Sequence, residues 1–225
     1  MSVPVSVVLP CGYGEKYFRV ALGCFLTQTY DGPLEVIILD NNTDPIEHLL
    51  PTDERIRYFH CERDRIGALR NKANALASGE VIVNADEDDW YSKDRIAAQV
   101  DRLQVSGKSV TGWHNLLFYN TADGGCYRYN YAAKPPYAVG TSFCYTRAWW
   151  ETHPFQSVPK GMDYYFQLEA AQADQLDSTD GAQFAVARAH RDSTCPPQFG
   201  CSQFPAVVPT ALPDAFWRAV APAKP

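Results

Sequence analysis

The sequence predicts an α/β fold, a mainly parallel sheet covered by helices on both faces. Three observations carry this. Short apolar runs, Val3 to Leu9, Leu34 to Leu39 and Glu80 to Ala85, have the length and β-branched content of strands buried on both sides. Between them apolar residues recur at helical spacing, so strands and helices alternate. The 225 residues, 46% hydrophobic and 20% charged, suffice for one sizeable core and are too apolar for a disordered chain.

The first strand runs to Pro10, and Cys11-Gly12-Tyr13-Gly14 reads as a loop. From Glu15 onwards Tyr17, Val20, Ala21, Cys24 and Phe25 share one helical face, and the helix should end near Tyr30-Asp31-Gly32-Pro33. Leu34 to Leu39 leads into Asp40-Asn41-Asn42-Thr43-Asp44-Pro45. Ile56 to His60 is a weaker strand, followed by a helix with Ile66, Leu69, Ala73 and Leu76 on one face, closed by Ser78-Gly79. Glu80 to Ala85 meets Asp86-Glu87-Asp88-Asp89-Trp90, and Ile96, Val100 and Leu103 mark the next helix. Ligands of such sheets bind beyond the carboxyl ends of the strands. Three of those ends carry polar loops here, residues 10–14, 40–44 and 86–89.

After about residue 107 the alternation fades. Val110 to Asn120 and Cys126 to Tyr131 flank a turn-rich segment and read as a hairpin. Thr141 to Tyr145 reads as a strand, Arg147 to Glu151 as the start of a helix, Gly161 to Ala173 as a helix and Gln183 to Ala189 as a strand. Residues 1–107 and 108–194 then form two halves of one domain. Residues 195–225 hold seven of the sixteen prolines and should wrap the surface or be partly mobile.

No apolar run approaches the roughly 20 residues that span a bilayer, and no basic stretch precedes the first apolar run, so no signal peptide is expected. Seven scattered cysteines without a CxxC support neither zinc nor a disulfide framework. The expectation is a cytoplasmic protein. A net charge of −6 gives no bulk attraction to nucleic acid, although Arg55, Arg57, Arg63, Arg65, Arg70 and Lys72 form a local basic run.

Four consecutive carboxylates after an apolar strand, Asp86 to Asp89, repel one another, and ionising all four calls for a compensating cation. Oxygen ligands suit Mg²⁺ or Mn²⁺, which engage substrate diphosphates; the plainer role is a solvated turn. Asp40 either accepts a hydrogen bond from a base or ribose or simply forms an Asx turn. Arg70 has the fork that grips a phosphate or a base carbonyl. Asp163, in the first turn of a helix, is either a macrodipole partner or a general base kept ionised there. His190 is a third candidate metal ligand or phosphate contact, or a structural histidine. Trp113, Tyr145, Trp149 and Trp150 are rings able to stack on a sugar or to pack in the core.

Together these segments resemble the inverting family 2 glycosyltransferases of GT-A fold. The resemblance rests on Val5-Ser6-Val7-Val8-Leu9-Pro10, Glu35 to Asn41, Gly67-Ala68-Leu69-Arg70-Asn71-Lys72-Ala73, Ala77-Ser78-Gly79-Glu80 and Asp86-Glu87-Asp88-Asp89-Trp90, in that order. It implies a Rossmann-like, mainly parallel sheet with a smaller acceptor-side region. Residues 1–107 would hold a nucleotide-sugar donor, a UDP-sugar with Mn²⁺ or Mg²⁺ on its diphosphate. By the same resemblance Pro10, Tyr13 and Asp40 line the base and ribose pocket, and Arg70 lies near the nucleotide. Asp86 and Glu87 contact the nucleotide sugar, and Asp88 and His190 hold the metal. Asp163 matches the catalytic base. Met162 stands where the family's glutamate precedes it, so no neighbouring charge is expected to raise its pKa. A non-catalytic binding module and a sugar nucleotidyltransferase are the competing readings. The acceptor, whether glycan, lipid carrier, protein or nucleobase, is not written in residues 110–165.

Overall fold

Seven consecutive residues, Val5–Cys11, form β1, and every one of them is buried, as a strand covered on both faces must be. The structure is a computed structural model describing residues 2–12, 15–131, 136–193 and 197–220. β1 pairs in parallel with β2 (Leu34–Asp40) along its whole length and with β4 (Val81–Asn84) on its other side, and β3 (Ile56–His60) extends the sheet beyond β2. The expected parallel quartet is therefore present, and its helices are α1 (Glu15–Leu26), α2 (Ile66–Leu76) and α3 (Arg95–Ser106). α1 stops at Leu26, short of the expected end near residue 30, because the Thr27 hydroxyl and the Gln28 amide bond back to the carbonyls of Gly23 and Cys24.

Beyond β4 the sheet becomes mixed. β8 (Cys144–Thr146) runs antiparallel to β4, and β6 (Val110–Asn120) antiparallel to β8. β6 also forms the expected hairpin with β7 (Cys126–Asn130). β6 is long enough to take two parallel partners on one side, β9 (Leu176–Asp180) along residues 110–115 and β10 (Ala185–Ala189) along residues 117–120. The short β5 (Trp90–Tyr91) pairs antiparallel with β10. That pairing ties the acidic loop between β4 and β5 to the strand that ends beside His190.

Alternate residues of β1 feed two cores. Val5, Val7 and Leu9 pack with Phe18, Leu22 and Phe25 of α1 and with Ile96 and Val100 of α3. Val8 faces Leu69 and Ala73 of α2, together with Phe166 of α5 (Met162–Gln172) and Trp149 of α4 (Arg147–Thr152). The segment expected as a strand over 141–145 divides instead into a 3₁₀ turn at Gly140–Ser142 and the shorter β8. In the terminal extension, β11 (Ala206–Val207) pairs with β7, and α6 (Asp214–Val220) buries Phe216 against Trp90 and Tyr119. The described part of this extension is anchored to the core. Among the described residues no helix is long and apolar enough to cross a membrane.

Candidate active site

β1, β2 and β4 end side by side, so the loops after them share one edge of the sheet. The four carboxylates after β4 diverge there, each to its own partner. Asp86 Oδ1 accepts from Arg70 Nη2 at 2.8 Å, and the Asp86 backbone N–H donates to the Tyr91 hydroxyl. Glu87 Oε1 accepts from the Gly12 N–H at 2.5 Å, which joins the acidic loop to the loop after β1. Asp88 Oδ2 lies 2.8 Å from His190 Nε2. Asp89 is buried and accepts from the Thr141 hydroxyl at 2.7 Å and from the Arg188 N–H at 2.9 Å. Burial pushes the Asp89 carboxyl up, and Asp88 and Asp86 add to the rise. Their mutual repulsion is thus relieved in part by the chain itself. Arg70 neutralises Asp86, and burial favours the protonated form of Asp89.

His190 is tightly placed. Its Nδ1 lies 3.2 Å from the Asp192 N–H, and its Nε2 lies 2.8 Å from Asp88 Oδ2. The Tyr17 ring lies over it, 4.7 Å between centroids.

Arg70 occupies the centre of the opposite wall. One turn before it, a Cβ on Gly67 would collide with the Gln156 carbonyl, so only glycine lets α2 approach the segment leading into α5 this closely. Arg70 is 2% exposed and lies 5.6 Å from the centre of the Phe155 ring. Its Nη2 serves Asp86, its Nη1 pairs with Asp163 Oδ1 and contacts Met162 Sδ, and its Nε has no partner. Asp163 follows a left-handed cap at Gly161, φ +80°, in the first turn of α5. It keeps 34% of its side chain accessible. A side chain at Gly140 would strike its carboxyl. Burial raises the Asp163 carboxyl, Arg70 opposes that, and Asp86 adds to it. The expectation that no neighbouring charge acts on Asp163 is therefore corrected, because the chain brings Asp86 to it through Arg70.

Other residues singled out in the sequence are placed differently. Asp40 is buried, and each of its oxygens accepts two bonds: Oδ1 from the Asn42 N–H and amide, Oδ2 from the Ile46 N–H and the Tyr58 hydroxyl. Pro10 is buried in β1 opposite Leu39. Tyr13 lies outside the described residues. Trp113, Tyr145 and Trp149 are buried in the cores, which removes them as stacking platforms for a ligand. The basic run is largely spent internally: Arg55 pairs with Asp53, Arg57 with Glu35, Lys72 with Asp64, and Arg70 as above.

Sequence reasoning missed Arg95 and Thr141. Arg95 is buried, donates to the carbonyls of Asn84 and Thr141 at 2.6 and 2.9 Å, and lies 4.2 Å from the centre of the Tyr91 ring. It clamps the end of β4 to the turn that seats Asp163. An arginine opening an otherwise apolar helix face just after an acidic loop was the available signal.

Residues 6–156 match the family described as Glycosyl transferase family 2. The chain belongs to that family. Among curated relatives it is 28% identical over 150 residues to glycosyltransferase GlyG of Streptococcus pneumoniae, covering 64% of this chain and 46% of the relative. It is 27% identical over 127 residues to glycosyltransferase GlyA of the same organism, covering 55% of this chain and 18% of the relative. The chain thus spans less than half of each. Of solved structures, S. aureus TarS in complex with UDP-GlcNAc superposes with a TM-score of 0.68 at 17% identity, covering 85% of this chain and 60% of TarS. The mannosyltransferase PcManGT from Pyrobaculum calidifontis, in complex with GDP-Man and Mn²⁺, gives 0.65 at 18% identity, with 84% and 57% covered. These neighbours share the fold, a sheet of mostly parallel strands flanked by helices.

Proposed function

We propose that this protein is a glycosyltransferase that moves a sugar from a nucleotide sugar, a UDP-sugar in this reading, to an acceptor hydroxyl with inversion at the anomeric carbon. The observation that carries the proposal is the convergence of Asp86, at the donor edge of the sheet, and Asp163, at the start of α5, on one guanidinium. In this reading the donor-side acid and the base share one cation. Asp163 is the general base: its accessible carboxylate takes the acceptor's proton as the hydroxyl attacks, and one base opposite the leaving group gives inversion. Asp86 and Glu87 serve the nucleotide sugar, with Pro10 and Tyr13 around the base, and Asp40 holds the loop after β2 through Asn42, Ile46 and Tyr58.

Asp88 and His190 offer one oxygen and one nitrogen at a single point, donors that Mn²⁺ or Mg²⁺ accepts. Among the described residues no group of three or more such side chains gathers. Two protein donors suit an ion that keeps waters and engages a diphosphate. These residues would hold the ion, which supplies Lewis-acid stabilisation of the charge growing on the leaving diphosphate. The neighbours bound to UDP-GlcNAc and to GDP-Man with Mn²⁺ support this assignment.

The test is a thermal-shift panel of UDP- and GDP-sugars with Mn²⁺ or with EDTA, followed by the anomeric configuration of the product. A UDP-sugar should stabilise the protein by ligand linkage, more strongly with Mn²⁺. A protein stabilised by no nucleotide sugar overturns the reading. Pyrophosphate release from a nucleoside triphosphate would make it a nucleotidyltransferase, and tight UDP binding without turnover a binding module.

A further inference from the structure

Arg70 spends both terminal nitrogens on carboxylates that belong to separate elements, one at the end of β4 and one at the start of α5. Among the described residues neither carboxylate pairs with a second cation. The guanidinium is itself immobilised. It is almost wholly buried, Met162 Sδ sits 3.4 Å from Nη1, Phe155 lies beneath its plane, and Gly67 brings its helix close to the segment before Met162. A nucleotide would find almost none of the guanidinium open to it, since the side chain is 2% exposed and its Nε is buried.

We propose that Arg70 is a positioning residue, which fixes the separation between the donor-side Asp86 and the base Asp163, rather than a ligand of the nucleotide. This rests on the function proposed above. An arginine is suited to the task because its planar fork orients two carboxylates at once, whereas a lysine ammonium is a single point of charge on a flexible stem. The separation matters because reacting groups must be held within about 0.5 Å of the productive geometry, and a misplacement of about 1 Å costs on the order of 10²-fold in rate. Gly140 contributes to the same end by leaving the space in which the Asp163 carboxyl sits.

The experiment is a double-mutant cycle of wild type, Arg70→Lys, Asp163→Asn and the double variant. Three quantities are read: kcat for transfer, UDP affinity by calorimetry, and melting temperature. Arg70→Lys is the primary variant because it keeps a cation between the two acids and so preserves the fold. It should lower kcat about 10²-fold while UDP affinity stays within about threefold. On the Asp163→Asn background the same change should cost less than about threefold, since a residue acting through Asp163 has nothing left to position. Arg70→Ala supplies a second arm, in which added guanidinium chloride at non-denaturing concentration should restore part of kcat. Equal losses on both backgrounds would show a merely structural role and overturn the proposal. A fall in UDP affinity as large as the fall in kcat would overturn it too, returning Arg70 to the nucleotide. A wild type that turns over no nucleotide sugar removes the proposed function and this role with it. That outcome is distinct from an active wild type whose losses are simply additive.

Discussion

Asp86 and Asp88 lie two residues apart, yet they meet different partners on different elements. Asp86 meets Arg70 and, through it, Asp163; Asp88 meets His190. A turn at residues 87–88 directs them apart. The partners differ in kind as well as in place. An arginine cannot surrender its proton, so the Asp86 arm is a permanent, rigid link. A histidine nitrogen can carry a proton or, in the function proposed above, meet a metal ion, so the Asp88 arm is the exchangeable one. The comparison teaches that one acidic loop sends its carboxylates to partners of different kind, a guanidinium shared with a second acid on one side and, in the function proposed above, an exchangeable ligand on the other.

The largest effect should come from breaking the rigid arm at its far end. Asp163→Asn keeps shape but removes basicity, so transfer should fall by about 10²–10⁴-fold with UDP affinity nearly unchanged. Near-normal transfer by this variant, or a product that retains the donor's configuration, would take Asp163 out of the chemistry. Breaking the exchangeable arm should look different. Asp88→Ala should weaken UDP binding in Mn²⁺ by roughly 10–100-fold, the scale of lost ligand support, while binding in EDTA stays as in the wild type. Equal UDP affinity of the wild type in Mn²⁺ and EDTA would count against the metal assignment.

The pH profile sharpens the contrast further. Burial raises the Asp163 carboxyl, with Arg70 opposing and Asp86 adding. A base must be ionised, so kcat should decline on the acid side at a higher pH than an ordinary aspartate would give. A rate that persists until the usual carboxylate range would contradict this. Asp40 supplies a reference outside both arms. Burial alone would raise its carboxyl, but the bonds from Tyr58, Ile46 and Asn42 outweigh that and lower it. Its contribution to stability is therefore present above the unfolded-state pKa and lost as pH falls through the lower folded value. Asp40→Ala should cost about 1–3 kcal/mol in denaturant melts, because two backbone N–H groups and a tyrosine lose their acceptor. A tenfold loss of uridine affinity at unchanged stability would instead assign Asp40 to the base pocket.

The smallest effect is expected at Glu35, away from the cleft. Burial raises its carboxyl, but bonds from Arg57, Ser6 and Ser78 hold it at about 2. Much of that shift is screened by solvent beside the exposed Arg57, so Glu35→Gln should cost no more than about 1 kcal/mol at neutral pH. That difference should vanish as the pH falls through the folded value. A larger loss would show that this surface pair, too, behaves as a buried link.

Some elements were legible because local pattern and tertiary environment agree. α2 spans Ile66–Leu76, the stretch marked by its apolar face and closed by Ser78-Gly79. β1 and β2 fall where apolar runs stand, since strands buried on both faces need no alternation to be recognised, and the weaker signal of β3 matches its half-buried place at the sheet edge. β9 was missed because Leu176–Asp180 holds one apolar residue and owes its strand form to pairing with β6. α6 was masked by the prolines around it, although Phe216 at its centre is fully buried. The large rings of Trp113 and Tyr145 carry no local sign of whether they face a core or a ligand.

By itself the sequence determined the parallel strand–helix alternation, the edge at which polar loops gather, and the acids on that edge, because apolar periodicity and loop chemistry are local. Only the tertiary structure decided which acid meets which cation. Arg70 reaches Asp163 and His190 reaches Asp88 across some 90 to 100 positions of chain. Contacts of that range are set by how helices pack on the sheet, and charge and burial then give chemically identical carboxylates different tasks.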